Sequence, residues 1–152
     1  MLSTLRESAE ASMPVQYRDD IPSPESFWTL FESTGWNLEY RLPPADLARA
    51  VANSQHVEAA YDGERLVGFG RVVSDGIVHA MIYDLITDPA YQGRGIGTEI
   101  LKRLVAKCRE EGIRDIQLFS AAGKRGFYER RGFRARPDES PGMEYGEKLH
   151  PT

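Results

Sequence analysis

The sequence predicts an α/β (α+β) domain with a central mixed, mostly antiparallel sheet of six to seven strands flanked by about four helices. Three observations carry this reading. Residues 57–61, 65–74 and 77–87 are rich in β-branched, aromatic and alternating apolar positions, and Asp62-Gly63 and Asp75-Gly76 separate them. Asp-Gly between apolar runs favours a hairpin, because both residues tolerate positive φ. Farther on, Ile96, Ile100, Leu101, Leu104, Val105 and Cys108 recur at helical spacing. Asp115 to Ser120, carrying Ile116 and Leu118, then reads as a short strand, so a strand–helix–strand crossover follows the meander.

Residues 1–13 contain Arg6, Glu7 and Glu10 without an apolar stretch, which predicts a flexible tail rather than a signal peptide. Pro14 to Asp19 reads as a first strand. Ser23-Pro24 starts a helix, since serine caps and proline suits the first helical position; Phe27, Leu30 and Phe31 share its apolar face. Trp36 and Tyr40 follow in a loop or irregular helix. Pro43-Pro44 opens a second helix with Leu47, Ala50 and Val51 as its stripe. After the meander and the long helix, Gly112 is placed to end that helix. Lys124 to Arg131 reads as a short helix closed by Gly132, and Phe133 and Met143 to Leu149 are expected to supply final strands. Residues 14–149 form one domain in this reading.

A chain of 152 residues has room for one core, and 41% apolar with 28% charged residues is ordinary for a globular protein. The net charge of −4 weighs against non-specific nucleic-acid binding. No window approaches the roughly 20 apolar residues of a membrane span. The single cysteine, Cys108, makes no internal disulfide and falls on the buried stripe of the long helix. His56, His79 and His150 lack metal-ligand spacing, so no metal is expected. These features predict a soluble cytoplasmic protein with neither nucleic-acid nor membrane partners. Lys102, Arg103, Lys107 and Arg109 read as a solvated helix face.

Between the apolar run Met81 to Thr87 and the long helix lies Gln92-Gly93-Arg94-Gly95-Ile96-Gly97. Glycine lets a backbone bend tightly and approach a ligand closely. The helix that follows begins with N–H groups lacking intrahelical acceptors, which favours an anion such as phosphate. The segment reads as a pyrophosphate cradle. A P-loop needs a lysine before its Ser/Thr, and Thr98 here follows Gly97 directly. A G-x-G-x-x-G fingerprint fails as well: its last place holds Thr98 counted from Gly93 and Ile100 counted from Gly95. On these residues alone, a glycine-rich turn with no ligand stays open.

Asp88 to Gly97 resembles the central motif of the GNAT superfamily of acyl-CoA N-acyltransferases, Q/R-x-x-G-x-G/A, with Gln92, Gly95 and Gly97 at its defining positions. Phe127-Tyr128-Glu129-Arg130-Arg131-Gly132-Phe133 resembles the family's second motif, a short helix carrying F-Y-x-x-x-G-F. The motif spacing and the element order match over roughly residues 14–149. A looser pattern at Gly35-Trp36, Arg71 to Asp75, Tyr83-Asp84 and Leu118-Phe119 is similar to arylalkylamine (serotonin-type) N-acetyltransferases.

The resemblance implies that acetyl-CoA is the acetyl donor, that its pantetheine arm enters between two splayed parallel strands, and that the backbone of Leu85, Ile86 and Thr87 holds its amides. It implies that N–H groups from Gln92 through Gly93, Arg94, Gly95, Ile96 and Gly97 to Thr98 hold the pyrophosphate, with Lys124 and Arg125 toward the nucleotide. Many members carry an asparagine just before the second-motif helix. This chain reads Ser120-Ala121-Ala122-Gly123 there, leaving Ser120 or the backbone to make that contact. The family's matching tyrosine protonates the leaving thiolate, which assigns that role to Tyr128. A phenol with a reference pKa near 10 is protonated at neutral pH and can serve a thiol of pKa near 8.5.

The acceptor poses the opposite problem. An alkylamine with a pKa near 10.4 is protonated at pH 7, so a base, direct or through water, must act before attack. Asp84, a carboxylate within Met81-Ile82-Tyr83-Asp84-Leu85-Ile86, is the leading candidate; a structural hydrogen bond or a strand edge facing water would also explain it. Asp75, Glu144 and Tyr83 are alternatives. Trp36, Tyr40, Tyr83 and Asp84 are the expected acceptor-binding residues. Aromatics at Trp36 and Tyr40 suit an arylalkylamine or another flat amine, and packing on the core would equally account for them. Proteins, polyamines and aminoglycosides remain possible acceptors. A non-enzymatic acyl-CoA sensor is the rival class, against which an intact Tyr128 counts. An RNA-binding reading of Arg125-Gly126-Phe127-Tyr128 fails, because tyrosine stands where Gly or Ala is required. Final strands pair between subunits in many family members, so a homodimer is left open.

Overall fold

The computed structural model describes residues 14–146; the tail expected at 1–13 and the end of the final strand expected at 143–149 lie outside them. The elements run β1 (Gln16–Arg18), α1 (Pro24–Glu32), α2 (Asn37–Tyr40), α3 (Pro44–Ala52), β2 (His56–Asp62), β3 (Arg65–Ser74), β4 (His79–Thr87), a 3-10 turn (Pro89–Tyr91), α4 (Ile96–Glu110), β5 (Asp115–Leu118) and α5 (Arg125–Glu129). The strands form one sheet in chain order, antiparallel except for the parallel β4–β5 pair.

Local chemistry explains the boundaries. The Ser23 hydroxyl accepts the Ser26 amide at 3.2 Å and Pro24 opens α1. Gly63 and Glu64 make the tight turn between β2 and β3, with Asp62 opposite Arg65. At the β3–β4 turn the Asp75 carboxylate accepts the amides of Ile77, Val78 and His79 at 2.8, 2.7 and 3.1 Å.

Two apolar layers cover the sheet. On one face, Phe27, Leu30 and Phe31 of α1 and Leu47 and Val51 of α3 pack on Val57, Phe69 and Ile86. On the other, Ile96, Ile100, Leu101, Leu104 and Cys108 of α4 pack on Ala60, Val72 and Ile82. Cys108 is fully buried, as its place on the helical stripe predicted. Its helix seats directly on β3, where a Cβ at Gly70 would lie 2.9 Å from both Ile100 Cγ2 and Leu104 Cδ1.

Three expectations are corrected. The sheet has five strands among the described residues, because 133–146 forms none. Pro137 and Pro141 each lack a ladder donor, and Arg136 closes a local turn instead, donating to the Ser140 carbonyl at 2.8 Å. Helices among the described residues number five against about four expected, since Asn37–Tyr40 winds into α2. The cationic face of α4 is not uniformly solvated. Glu58 on β2 is 2% exposed, and Lys107 and Arg103 reach it at 3.0 and 3.5 Å.

The sheet also builds an opening. β5 pairs with β4 only from His79 opposite Asp115 to Ile82 opposite Leu118. Across β3, Arg71 faces Tyr83 but Phe69 faces Ile86, so Gly70 opposes both Asp84 and Leu85. That is a β-bulge, and Asp84 occupies it with φ +54°. Beyond it, β4 continues with no strand on the β5 side among the described residues.

Candidate functional site

At that opening lies a cleft of about 680 Å³, within the range of small-molecule sites. Its walls are Ser33, Thr34 and Trp36 between α1 and α2; Leu85, Ile86 and Thr87 at the end of β4; Gln92, Gly93 and Gly95 in the loop; Ile96, Gly97 and Thr98 at the start of α4; and Lys124, Phe127, Tyr128 and Arg131 around α5.

The loop is held from below. Asp88 caps the 3-10 turn by accepting the Ala90 amide at 2.9 Å, and it pairs with Arg65 at 2.8 Å. Gly93 and Gly95 have φ of +77° and +78°, and a Cβ on either would meet no atom within 4 Å. Their glycine requirement is therefore conformational, with open space in front of both. Gly95 stands at the N-cap of α4 and no side chain caps this helix, so its first amides lack intrahelical acceptors. These features fit a phosphate-bearing ligand.

Electrostatics point the same way. Among the described residues the cleft is lined by two cations, Lys124 and Arg131, and by no carboxylate, on a protein whose net charge is −4. Arg131 is firmly placed: Nε donates to Thr98 Oγ1 at 2.9 Å and Nη1 to the Phe127 carbonyl at 2.7 Å, with the guanidinium 3.7 Å over the Phe127 ring. Among the described residues no carboxylate pairs with it.

Tyr128 lines the cleft with its ring edge-on to Phe127 and Phe133, at centroid distances of 5.1 and 6.1 Å. Burial pushes its phenol above the ordinary value, so it stays protonated through the neutral range.

The cleft thus gathers Trp36, Leu85, Ile86, Thr87, Gln92, Gly93, Gly95, Ile96, Gly97, Thr98, Lys124 and Tyr128 from the residues expected in the site. The others lie outside its lining. Arg94 stacks over the Tyr91 ring at 4.9 Å, and the Ser120 hydroxyl donates to the Ala121 carbonyl at 3.0 Å. Tyr40 and Tyr83 are exposed, Arg125 pairs with Glu129 at 3.0 Å, and Glu144 is exposed in irregular chain. Asp84 Oδ2 accepts from Arg71 Nε at 2.7 Å. Asp75 serves as the turn cap, and the amides of Ile77, Val78 and His79 hold its carboxyl below the ordinary range.

Sequence reasoning missed Arg131. The signal was its i, i+4 relation to Phe127 and i, i+3 relation to Tyr128, which brings the turn after α5 back beside both residues. Ser33 and Thr34 carried no signal, because α1 meets the cleft only through the tertiary fold. Among the described residues no group of three or more His, Cys, Asp or Glu could hold a metal ion. No helix there is long and apolar enough to cross a membrane.

Comparison with known proteins adds an independent line. The acetyltransferase (GNAT) family model matches residues 15–133. Serotonin N-acetyltransferase 2, chloroplastic, of Oryza sativa subsp. japonica is 35% identical over 103 residues, covering 65% of this chain and 52% of the rice protein. Histone acetyltransferase TAP1 of Glycine max is 32% identical over 125 residues, covering 75% of this chain and 53% of the relative. The chain thus spans about half the length of these two relatives. A GNAT-family acetyltransferase structure from Streptococcus pneumoniae TIGR4 superposes with a TM-score of 0.73 at 25% identity, covering 90% of this chain and all of that one.

Proposed function

The chain belongs to the acetyltransferase (GNAT) family, and from that membership we propose that it transfers the acetyl group of acetyl-CoA to the primary amine of a small molecule, an arylalkylamine or a similar flat amine. The observation that carries this reading is the cleft's lining among the described residues: two cations and no carboxylate beside an uncapped helix start, with a protonated tyrosine in the same wall.

Acetyl-CoA supplies an activated thioester carbonyl. The chain does the rest. The backbone of Leu85 to Thr87 takes the pantetheine amides, and the amides from Gln92 to Thr98 take the pyrophosphate, with Arg131 and Lys124 adding charge. As the amine nitrogen bonds to the carbonyl carbon and the C–S bond breaks, Tyr128 gives its proton to the departing sulfur. The amine's protons leave to water, and the Tyr128 phenolate regains its own from water to close the cycle. The ion pair of Asp84 with Arg71 and its place outside the lining favour water over Asp84 as the direct base. Trp36 in the cleft wall supports a flat or aromatic acceptor, through stacking and cation–π contact.

Acetyl-CoA is expected to raise the melting temperature, because it binds the native state alone. No shift at millimolar acetyl-CoA would sink the donor assignment. A panel holding an arylalkylamine, a polyamine, an aminoglycoside and a lysine peptide, read by free thiol release, then identifies the acceptor class. Release with the lysine peptide alone overturns the small-molecule reading; binding with no release from any amine makes the protein a sensor.

A further inference from the structure

The β4 bulge carries a carboxylate in a backbone conformation that few side chains adopt. Asp84 has φ +54°, and Arg41 is the other non-glycine residue with positive φ among those described. Aspartate is among the side chains that tolerate this region best. Its carboxylate belongs to a clamp. Arg71 Nε donates to Asp84 Oδ2 at 2.7 Å, while Arg71 Nη1 donates to the Ala50 carbonyl in α3 at 3.3 Å and to Ser54 Oγ just past that helix at 3.4 Å. One guanidinium therefore ties α3, β3 and β4 together. The Arg71 and Asp84 side chains are 17% and 20% exposed, so water screens the pair only partly.

The location matters more than the bond. The parallel partner of β4 ends with Leu118 opposite Ile82, two residues before the bulge. The residue after Asp84, Leu85, lines the cleft, and Ile86 is buried beneath α1. The clamp thus sits where β4 parts from β5. Bulges bend a strand and end its pairing.

We propose that Asp84 is a positioning residue: fixed in the bulge and clamped by Arg71, it sets the bend that opens the cleft and aims Leu85 to Thr87 at the acyl donor, and it does not take the substrate proton. The role rests on the acyl-CoA reading of the cleft. It explains why the carboxylate stands in an otherwise apolar strand without reaching the cleft wall.

The test compares Asp84→Asn, Asp84→Ala and the double variant Asp84→Gly with Arg71→Met in the full chain. Asparagine keeps tolerance for positive φ and an acceptor oxygen; alanine keeps neither; the double variant removes both halves of the clamp but lets the backbone stay bent. The readouts are hydrogen exchange at the β4 amides from Leu85 to Thr87, acetyl-CoA affinity, and kcat and KM across pH. Asp84→Asn should keep kcat within about tenfold and leave the acid limb of the pH profile unmoved, whereas loss of a general base costs about a hundredfold or more. Asp84→Ala should speed exchange at those amides about tenfold or more and weaken acetyl-CoA binding, and the double variant should recover part of both losses. A loss of a hundredfold or more in kcat for Asp84→Asn, with its acid limb abolished and KM unchanged, overturns the proposal. So does equal exchange in wild type and Asp84→Ala. If the wild-type chain fails to bind acetyl-CoA, the reading of the cleft falls, and the exchange arm still decides whether Asp84 holds the bend.

Discussion

Arg131 Nε donates to Thr98 Oγ1 at 2.9 Å, a bond that ties the turn after α5 to the first turn of α4 in the cleft wall. A second bond to the Phe127 carbonyl and the ring beneath hold the guanidinium still. A cation already fixed in place loses little side-chain entropy when an anion arrives. Arg131→Gln should therefore weaken acetyl-CoA about tenfold or more, the scale of a hydrogen bond to a charged group. The control is acetyl-pantetheine, which has the same thioester and no phosphate. Calorimetry should show its affinity unchanged; equal losses for both ligands would make Arg131 a strut rather than a phosphate contact.

Tyr128 fills no packing role that phenylalanine could not, since its ring meets Phe127 and Phe133 edge-on. Tyr128→Phe should lower kcat about a hundredfold or more while acetyl-CoA affinity holds, the pattern of a lost general acid. Single-turnover mixing checks this at the chemical step. Unchanged turnover there removes Tyr128 from proton transfer.

The parts of the fold legible in the sequence were those set by local chemistry. Asp75 and Gly63 marked the hairpins, Pro24 and Pro44 the helix starts, and the stripe from Ile96 to Cys108 the long helix. The cleft's loop was legible because Gly93 and Gly95 need a backbone that other residues avoid. Long-range pairings were not. Asp84 read as a base, a structural acceptor or an edge residue without a way to choose, because its partner Arg71 lies 13 residues away on another strand. Glu58 went unnoticed for the same reason, its partners lying on α4. No final strand forms within 133–146, where Pro137 and Pro141 stand just before the apolar residues Met143 and Tyr145 that suggested one.

The buried Glu58 yields a stability prediction. Removing one partner of a buried ion pair leaves an uncompensated charge, which costs about 3–5 kcal/mol. Lys107→Met should approach the lower end of that range, because Arg103 stays 3.5 Å from the carboxylate. The double variant Glu58→Met with Lys107→Met should recover most of the loss, since an apolar pair of similar volume needs no compensation. Urea denaturation measures both. A single variant as stable as wild type would show that Arg103 alone satisfies Glu58.

Alkali tests the environment of the tyrosines. Burial raises the phenol pKa of Tyr17, Tyr61 and Tyr128 in the native state. The unfolded chain ionises first, near pH 10, so above that pH it binds fewer protons than the native state. Stability from these groups is then fully present below about pH 10 and falls as pH rises through the native values. The urea midpoint should hold level through neutral pH and drop above about pH 10, less steeply in Tyr128→Phe. A steeper drop in that variant would contradict the assignment. The same shift keeps Tyr128 protonated through the neutral range, so kcat/KM should climb with pH there as the neutral fraction of the amine grows. An alkaline limb well below pH 10 that persists in Tyr128→Phe would belong to another group.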